Sequence, residues 1–150
     1  YLAYNRAPYL IGDSSKAVLD SNGNGSLTFT RVGNRAPYFL VVKHRNLIET
    51  WSWVPKEFEN FQQTFDFTGG AIYAYGNNQV NIGSKYCMYN GDVNQDGLVD
   101  LADIVMVSNN AAIFLSGYKT TDIDGNNITD LADLIITYNN SSNFVSIKKP

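Results

Sequence analysis

From Gly91 onward the chain repeats itself at an interval of 30 residues, and no other feature constrains its fold as tightly. Asp92 recurs as Asp122. Asp100-Leu101-Ala102-Asp103 recurs as Asp130-Leu131-Ala132-Asp133, Asn109-Asn110 as Asn139-Asn140, and Phe114 as Phe144. Each Leu-Ala-Asp opens an apolar run of helical type, Ile104 to Val107 in the first copy and Leu134 to Ile136 in the second. A unit of this size cannot bury its apolar face alone, so the two copies are expected to pack on each other.

Each copy begins with a twelve-residue loop rich in side-chain oxygen. The first places Asp92, Asn94, Asp96, Asp100 and Asp103 at positions 1, 3, 5, 9 and 12. The second places Asp122, Asp124, Asn126, Asp130 and Asp133 at the same positions. Calcium takes roughly six to eight oxygen ligands. A loop of the EF-hand type supplies them from these positions and from the carbonyl of position 7, here Leu98 and Ile128. Gly97 at position 6 permits the sharp turn of such a loop. Asn127 stands there in the second copy, and Asn is among the non-glycine residues most tolerant of left-handed backbone. Residues 91–150 contain eight acids, all Asp, and all eight fall on these positions. Four carboxylates crowded into one loop repel each other unless a cation joins them. Taken singly, Asp100 and Asp130 also read as helix N-caps with an acid three residues on. The Asp-Gly steps also read as plain turns. Capping and ligation are compatible, and two loops in register point to two calcium ions.

This spacing resembles that of the type I dockerins, with paired loop–helix units, Asp in place of Glu at position 12 and no incoming helix. Tyr86 to Gly91 does not look helical, which fits. The resemblance covers about 60 of the 150 residues. It implies a small α-helical module over residues 89–150. It also implies a cohesin-like partner touched by positions 10 and 11, here Leu101-Ala102 and Leu131-Ala132. Asn127 at position 6 and Thr129 at position 8, where an apolar residue is usual, depart from the pattern.

The first 90 residues are of another kind. They carry 8 Lys/Arg and 6 Asp/Glu, against 3 Lys and 8 Asp in residues 91–150. Ser26 to Thr30 alternates polar and apolar, Pro37 to Arg45 is rich in strand formers, and Ile48 to Trp53 alternates again. Phe65, Phe67, Ile72, Tyr73 and Tyr75 supply later strand material. Turn-forming steps at Ser21 to Gly25, Gly33-Asn34, Gly69-Gly70 and Gly76 to Asn78 divide these runs. Asn5-Arg6-Ala7-Pro8-Tyr9 recurs as Asn34-Arg35-Ala36-Pro37-Tyr38 before a second apolar run. Such spacing predicts a sandwich or barrel. Asn24 to Phe29, followed by Tyr38 to His44, resembles the transthyretin-like or Cna-B-like sandwiches of bacterial surface proteins. A small β domain leading into dockerin-like repeats is similar to C-terminal modules of large secreted bacterial proteins.

Several function classes find no support. No basic stripe suits nucleic acid, and no run approaches the ~20 apolar residues of a membrane span. The single Cys87 excludes an intramolecular disulfide and is expected to be a small buried residue. His44, the single histidine, is expected at a solvated strand end, and Glu49, Glu57, Glu59 and Asp66 are scattered. Trp51 and Trp53 fall on one face by alternation and could form a sugar platform.

The reading is therefore a mostly β protein. An antiparallel β-sandwich over residues 1–88 precedes a dockerin-like calcium module over 89–150, the two packed as one unit. The expected function is that of a non-catalytic, secreted, calcium-binding structural protein at a bacterial surface, present in its mature form, with itself as partner in an array or filament. Tyr1-Leu2-Ala3-Tyr4 has no charge or proline before Arg6 and could complete a neighbour's sheet. One alternative is an adaptor docking a larger protein to a cohesin-like partner. A further alternative is a carbohydrate-binding module taking glycans on Trp51 and Trp53.

Overall fold

A computed structural model describes all 150 residues. The apolar run of the first half becomes its longest strand, β3 (Pro37–Val42), around which β1 (Leu2–Tyr4), β2 (Ile11–Asp13), β4 (Thr50–Trp51) and β5 (Lys56–Glu57) assemble into one antiparallel sheet. The order is β2-β1-β3-β4. On the side of β3 away from β1, β4 pairs through Val41–Trp51 and Val42–Thr50, and β5 pairs farther back through Pro37–Glu57 and Tyr38–Lys56. A separate ribbon, β6 (Val80–Ile82) and β7 (Lys85–Cys87), turns at Gly83, whose φ is 64°. Cys87 is half-buried there.

The fold is thus small and mostly β, with antiparallel sheets and two helices. A sandwich was expected, and the strands form one sheet and a ribbon instead. The reason lies in how the sheet is covered. Along β1 and β3 alternate residues point to opposite faces, and both faces are apolar. Ala3, Phe39, Val41 and Trp51 form one buried cluster; Leu2, Tyr38 and Phe58 form the other. Loops cover them, with Tyr9 and Tyr75 on the first face and Phe29, Val32 and Ala36 on the second. Ser26–Thr30 therefore makes no strand. Only Phe29 turns inward, edge-on to Phe58 at 6.5 Å, while Leu27 stays exposed. The Phe65–Tyr75 region likewise gives two 3-10 turns, Ala71–Tyr73 and Tyr75–Asn77.

β1 also departs from expectation. Its residues pair with β3 on one side and β2 on the other, Leu2 and Ala3 are fully buried, and the terminal ammonium donates to the Val41 carbonyl at 2.9 Å. It is an interior strand, not the unprotected edge that its composition suggested.

After residue 90 the repeat governs the structure. α1 (Leu101–Ala111) and α2 (Leu131–Ser142) each begin where a loop ends, and they pack on each other. Val107 is fully buried with Val93 and Ile123 between them, and the equivalent Thr137 is buried too, its hydroxyl donating to the Asp133 carbonyl. The segment after each helix crosses to a loop. Leu98 bridges Ser146, and Ile128 bridges Ser116.

The two halves meet along residues 45–50. Ile48 is fully buried in a cluster with Val99 and Val145. Its N–H donates to Tyr89, Gly91 donates to the Asn46 carbonyl, and Thr50 bridges Lys148. Gly91, at φ 106°, has no room for a side chain: a Cβ would lie 3.1 Å from Val99 and 3.4 Å from the Thr137 backbone. Burying an aliphatic side chain such as Ile48 stabilises by roughly 1.5–3 kcal/mol, so this seam is a substantial contact.

Candidate metal centre

The two loops wind alike although their sequences differ. At alternate positions a side-chain oxygen folds back onto the backbone N–H two residues ahead. In the first loop Asn94 accepts from Asp96, Asp96 from Leu98 and Asp100 from Ala102, at 2.9, 3.0 and 2.7 Å. In the second, Asp124 accepts from Asn126, Asn126 from Ile128 and Asp130 from Ala132, at 3.0, 2.8 and 2.7 Å. These are Asx-type turns, which short polar side chains favour over helix or sheet.

Two positions per loop need left-handed backbone. Position 6 was anticipated: Gly97 has φ 93° and Asn127 φ 71°. Position 4 was not: Gln95 has φ 61° and Gly125 φ 81°. Each loop thus places one glycine and one other residue at these sites, in opposite order. The alternation of Gly97 with Gly125 was the signal that could have revealed position 4.

Position 12 closes each loop on itself. Asp103 accepts from Val93 and Asn94 through one oxygen and from Asp100 through the other. Asp133 repeats this with Ile123, Asp124 and Asp130. Each also completes a capping box with the N-cap, Asp100 or Asp130. The N-cap reading of these two residues was therefore right, and three donors still leave lone pairs on a carboxylate. Leu98 and Ile128, the carbonyl positions, are held by their bridges to Ser146 and Ser116.

Burial sets the electrostatics. Asp92, Asp103, Asp122 and Asp133 are at most 2% exposed, whereas Asp96 and Asp124 reach solvent. Carboxylate oxygens of Asp122, Asp124 and Asp133 lie within 4.8 Å of one another. Two oxygens on one calcium are at most about 5 Å apart, twice the ~2.3–2.6 Å bond, so the spread suits one ion. In the first loop Asp92 takes one N–H, from Gly97, on Oδ2, and its buried Oδ1 has no hydrogen-bond partner. Burial, and after it the neighbouring Asp103 charge, push its carboxyl up to about 6. A buried carboxylate oxygen without a donor is costly, and a cation relieves that cost directly. In the second loop both Asp122 oxygens are met, Oδ1 by Gly125 and Oδ2 by Asn127 and the Arg45 guanidinium at 3.4 Å.

The polar-for-apolar departure at Thr129 is absorbed. Its buried hydroxyl joins Thr121 at 2.9 Å, and Thr121 in turn accepts from Asn110 at 2.9 Å. The equivalent Asn140 reaches instead to Asn90.

The other sequence candidates fare differently. Trp51 is buried against Phe39 at 5.9 Å, while Trp53 is exposed, so the two do not form a platform. His44 is exposed as expected, with Nδ1 3.0 Å from the Asn46 amide oxygen. Searches against protein-family models, curated proteins and solved structures returned no match.

Proposed function

We propose that this chain is a non-catalytic structural module that binds two calcium ions, one in Asp92–Asp103 and one in Asp122–Asp133. The observation that carries the reading is Asp92: a buried carboxylate with one unpartnered oxygen, at the head of a loop whose winding is duplicated 30 residues on. The dockerin resemblance of residues 89–150 adds to it. Residues 1–88 form the second module of the proposal, docked on the first through Ile48. Loops of this type outside cells bind calcium at about 10⁻⁴–10⁻³ M. That range suits a secreted or cell-surface protein, the location we propose.

The test is calorimetric titration of the full chain. Two calcium ions should bind, Asp92→Ala and Asp122→Ala should each lose one, and magnesium, which demands a near-octahedral shell of its own waters, should bind far more weakly. Unchanged melting after verified calcium removal would sink the reading.

A filament built by donating β1 to a neighbour is not what we propose, because that strand is paired on both sides within its own chain. Docking to a cohesin-like partner keeps one specific support. Leu101 and Leu131, at equivalent positions of the repeat, are 68% and 65% exposed. Binding to immobilised cohesin domains that weakens with both Leu101→Ser and Leu131→Ser, and not with either alone, would mark the two copies as alternative contact faces.

A further inference from the structure

The first backbone carbonyl of each loop is satisfied in a different way. In the first loop the Gln95 amide, from position 4, donates to the Asp92 carbonyl at 2.6 Å. In the second loop position 4 is Gly125, which has no side chain to offer. There the Asp122 carbonyl accepts instead from Asn46 Nδ2 and Arg45 Nη2, both at 2.9 Å, from 76 and 77 residues away. The same Arg45 nitrogen lies 3.4 Å from the Asp122 carboxylate. The guanidinium is held in place by stacking on Tyr118, 4.0 Å from the ring centroid, and the side chain is 14% exposed. His44 orients the Asn46 amide from the other side.

We propose that Arg45 is a built-in counter-cation of the second loop, a residue of the N-terminal half that makes this loop bind calcium more weakly than the first. The proposal rests on the calcium reading above and concerns how the two sites divide. Before metal arrives, the guanidinium balances a carboxylate that would otherwise lie buried and uncompensated, as Asp92 does in the first loop. When calcium enters, a fixed positive charge stands beside a ligand of the same ion. Two charges a few ångströms apart in a partly buried site interact by several kcal/mol at the effective dielectric of a protein surface. The first loop has no such charge in contact: Asp92 touches the neutral Gln95 and Gly97, and Lys43, the cation that acts on it from farther off, is paired with Glu49 at 2.9 Å. Calcium therefore meets a carboxylate with no cation bonded to it. Arg45 is thus a positioning residue: it sets the charge and orientation of Asp122 and leaves coordination to the loop.

The test is a calcium titration of the ¹⁵N-labelled full chain, reading the Gly97 amide for the first loop and the Gly125 amide for the second. In the natural protein the first loop should fill at lower calcium than the second. Arg45→Gln keeps a donor for the Asp122 carbonyl and removes the charge; Arg45→Met removes both. Either should lower the midpoint of the second loop by at least about tenfold and leave the first within twofold. Arg45→Lys, which restores a charge without the planar fork, should return the natural order. A merely structural arginine would behave oppositely, its loss weakening the second loop. An unchanged or raised Gly125 midpoint in Arg45→Gln overturns the role of Arg45 while leaving calcium binding intact. A natural protein in which neither glycine responds to calcium overturns both readings at once.

Discussion

Asp13 and Asp92 sit in opposite halves of the molecule and are treated in opposite ways. Asp13 accepts backbone N–H groups from Thr30 and Arg31 on one oxygen and from Ser14 on the other. Those hydrogen bonds, that of Arg31 foremost, hold its carboxyl below the ordinary 3.8. Asp20 and Asp66 are held low in the same manner by Asn24 and Thr68. Each is a staple for a loop, Asp13 half-buried and the other two exposed. Asp92 is buried, shares its pocket with Asp103, and is pushed the other way. The first half therefore uses acids that backbone amides and neighbouring side chains satisfy, around a core of aromatic rings. The second half buries acids whose demand the backbone meets only in part. One half meets the demand of its acids within the fold; the other, on the reading proposed above, takes two calcium ions to do so.

Calcium removal is the strongest way to test that contrast. With calcium at about a hundred times its dissociation constant, binding stabilises by roughly 2.7 kcal/mol per site. Adding EGTA should strip hydrogen-exchange protection from α1 and α2 and spare the β1 and β3 amides. Simultaneous loss in the sheet would break the comparison. Ile48→Ala comes next, because Ile48 belongs to both halves. It should cost about 2–5 kcal/mol and lower the urea midpoint read from Trp51 fluorescence together with that read from helical dichroism. A drop in only one would separate the halves further. Thr129→Val is smaller. It leaves the Thr121 hydroxyl short of a partner and should cost about 1–3 kcal/mol, confined to the calcium-loaded melting of the second half. The smallest effect concerns Asp13. A carboxyl held below its unfolded value contributes stability above 3.8 and loses it as pH falls through its folded value. The Thr30 and Arg31 amides should then exchange freely in acid with the sheet intact, and Asp13→Asn should release them at neutral pH.

The parts readable from sequence were those whose chemistry demands fixed spacing. Loop positions 1, 3, 5, 9 and 12 and the helices after them follow from the 30-residue repeat. Of the two apolar runs, Val107 is buried, while Val105, Met106 and Ile135 stay exposed. In the first half the strands run only two to six residues. At that length, pairing is decided by distant partners more than by alternation. Ser26–Thr30 alternates well and finds no strand to pair with, and only Phe29 packs inward. Trp51 and Trp53 part company because Trp51 lies within a paired strand while the chain leaves the sheet after Ser52, which bridges Ala74. Arg45 gave no local sign at all, since the residues it contacts, Tyr118 and Asp122, lie 73 and 77 residues further along the chain.

The connection between β2 and β3 has a consequence for how the molecule meets proteases. Residues 16–28 are exposed without exception, Val18 to 94%, and exposed polar loop tips are where nicking concentrates. A cut there would release nothing. The short upstream piece contains β1, buried and hydrogen-bonded on both sides, and β2, so it would stay bound as a non-covalent fragment. Cleavage at this loop thus converts one chain into a two-piece complex whose shape and acidic loops are unchanged. A band shift on a denaturing gel with no shift on a native one is its signature.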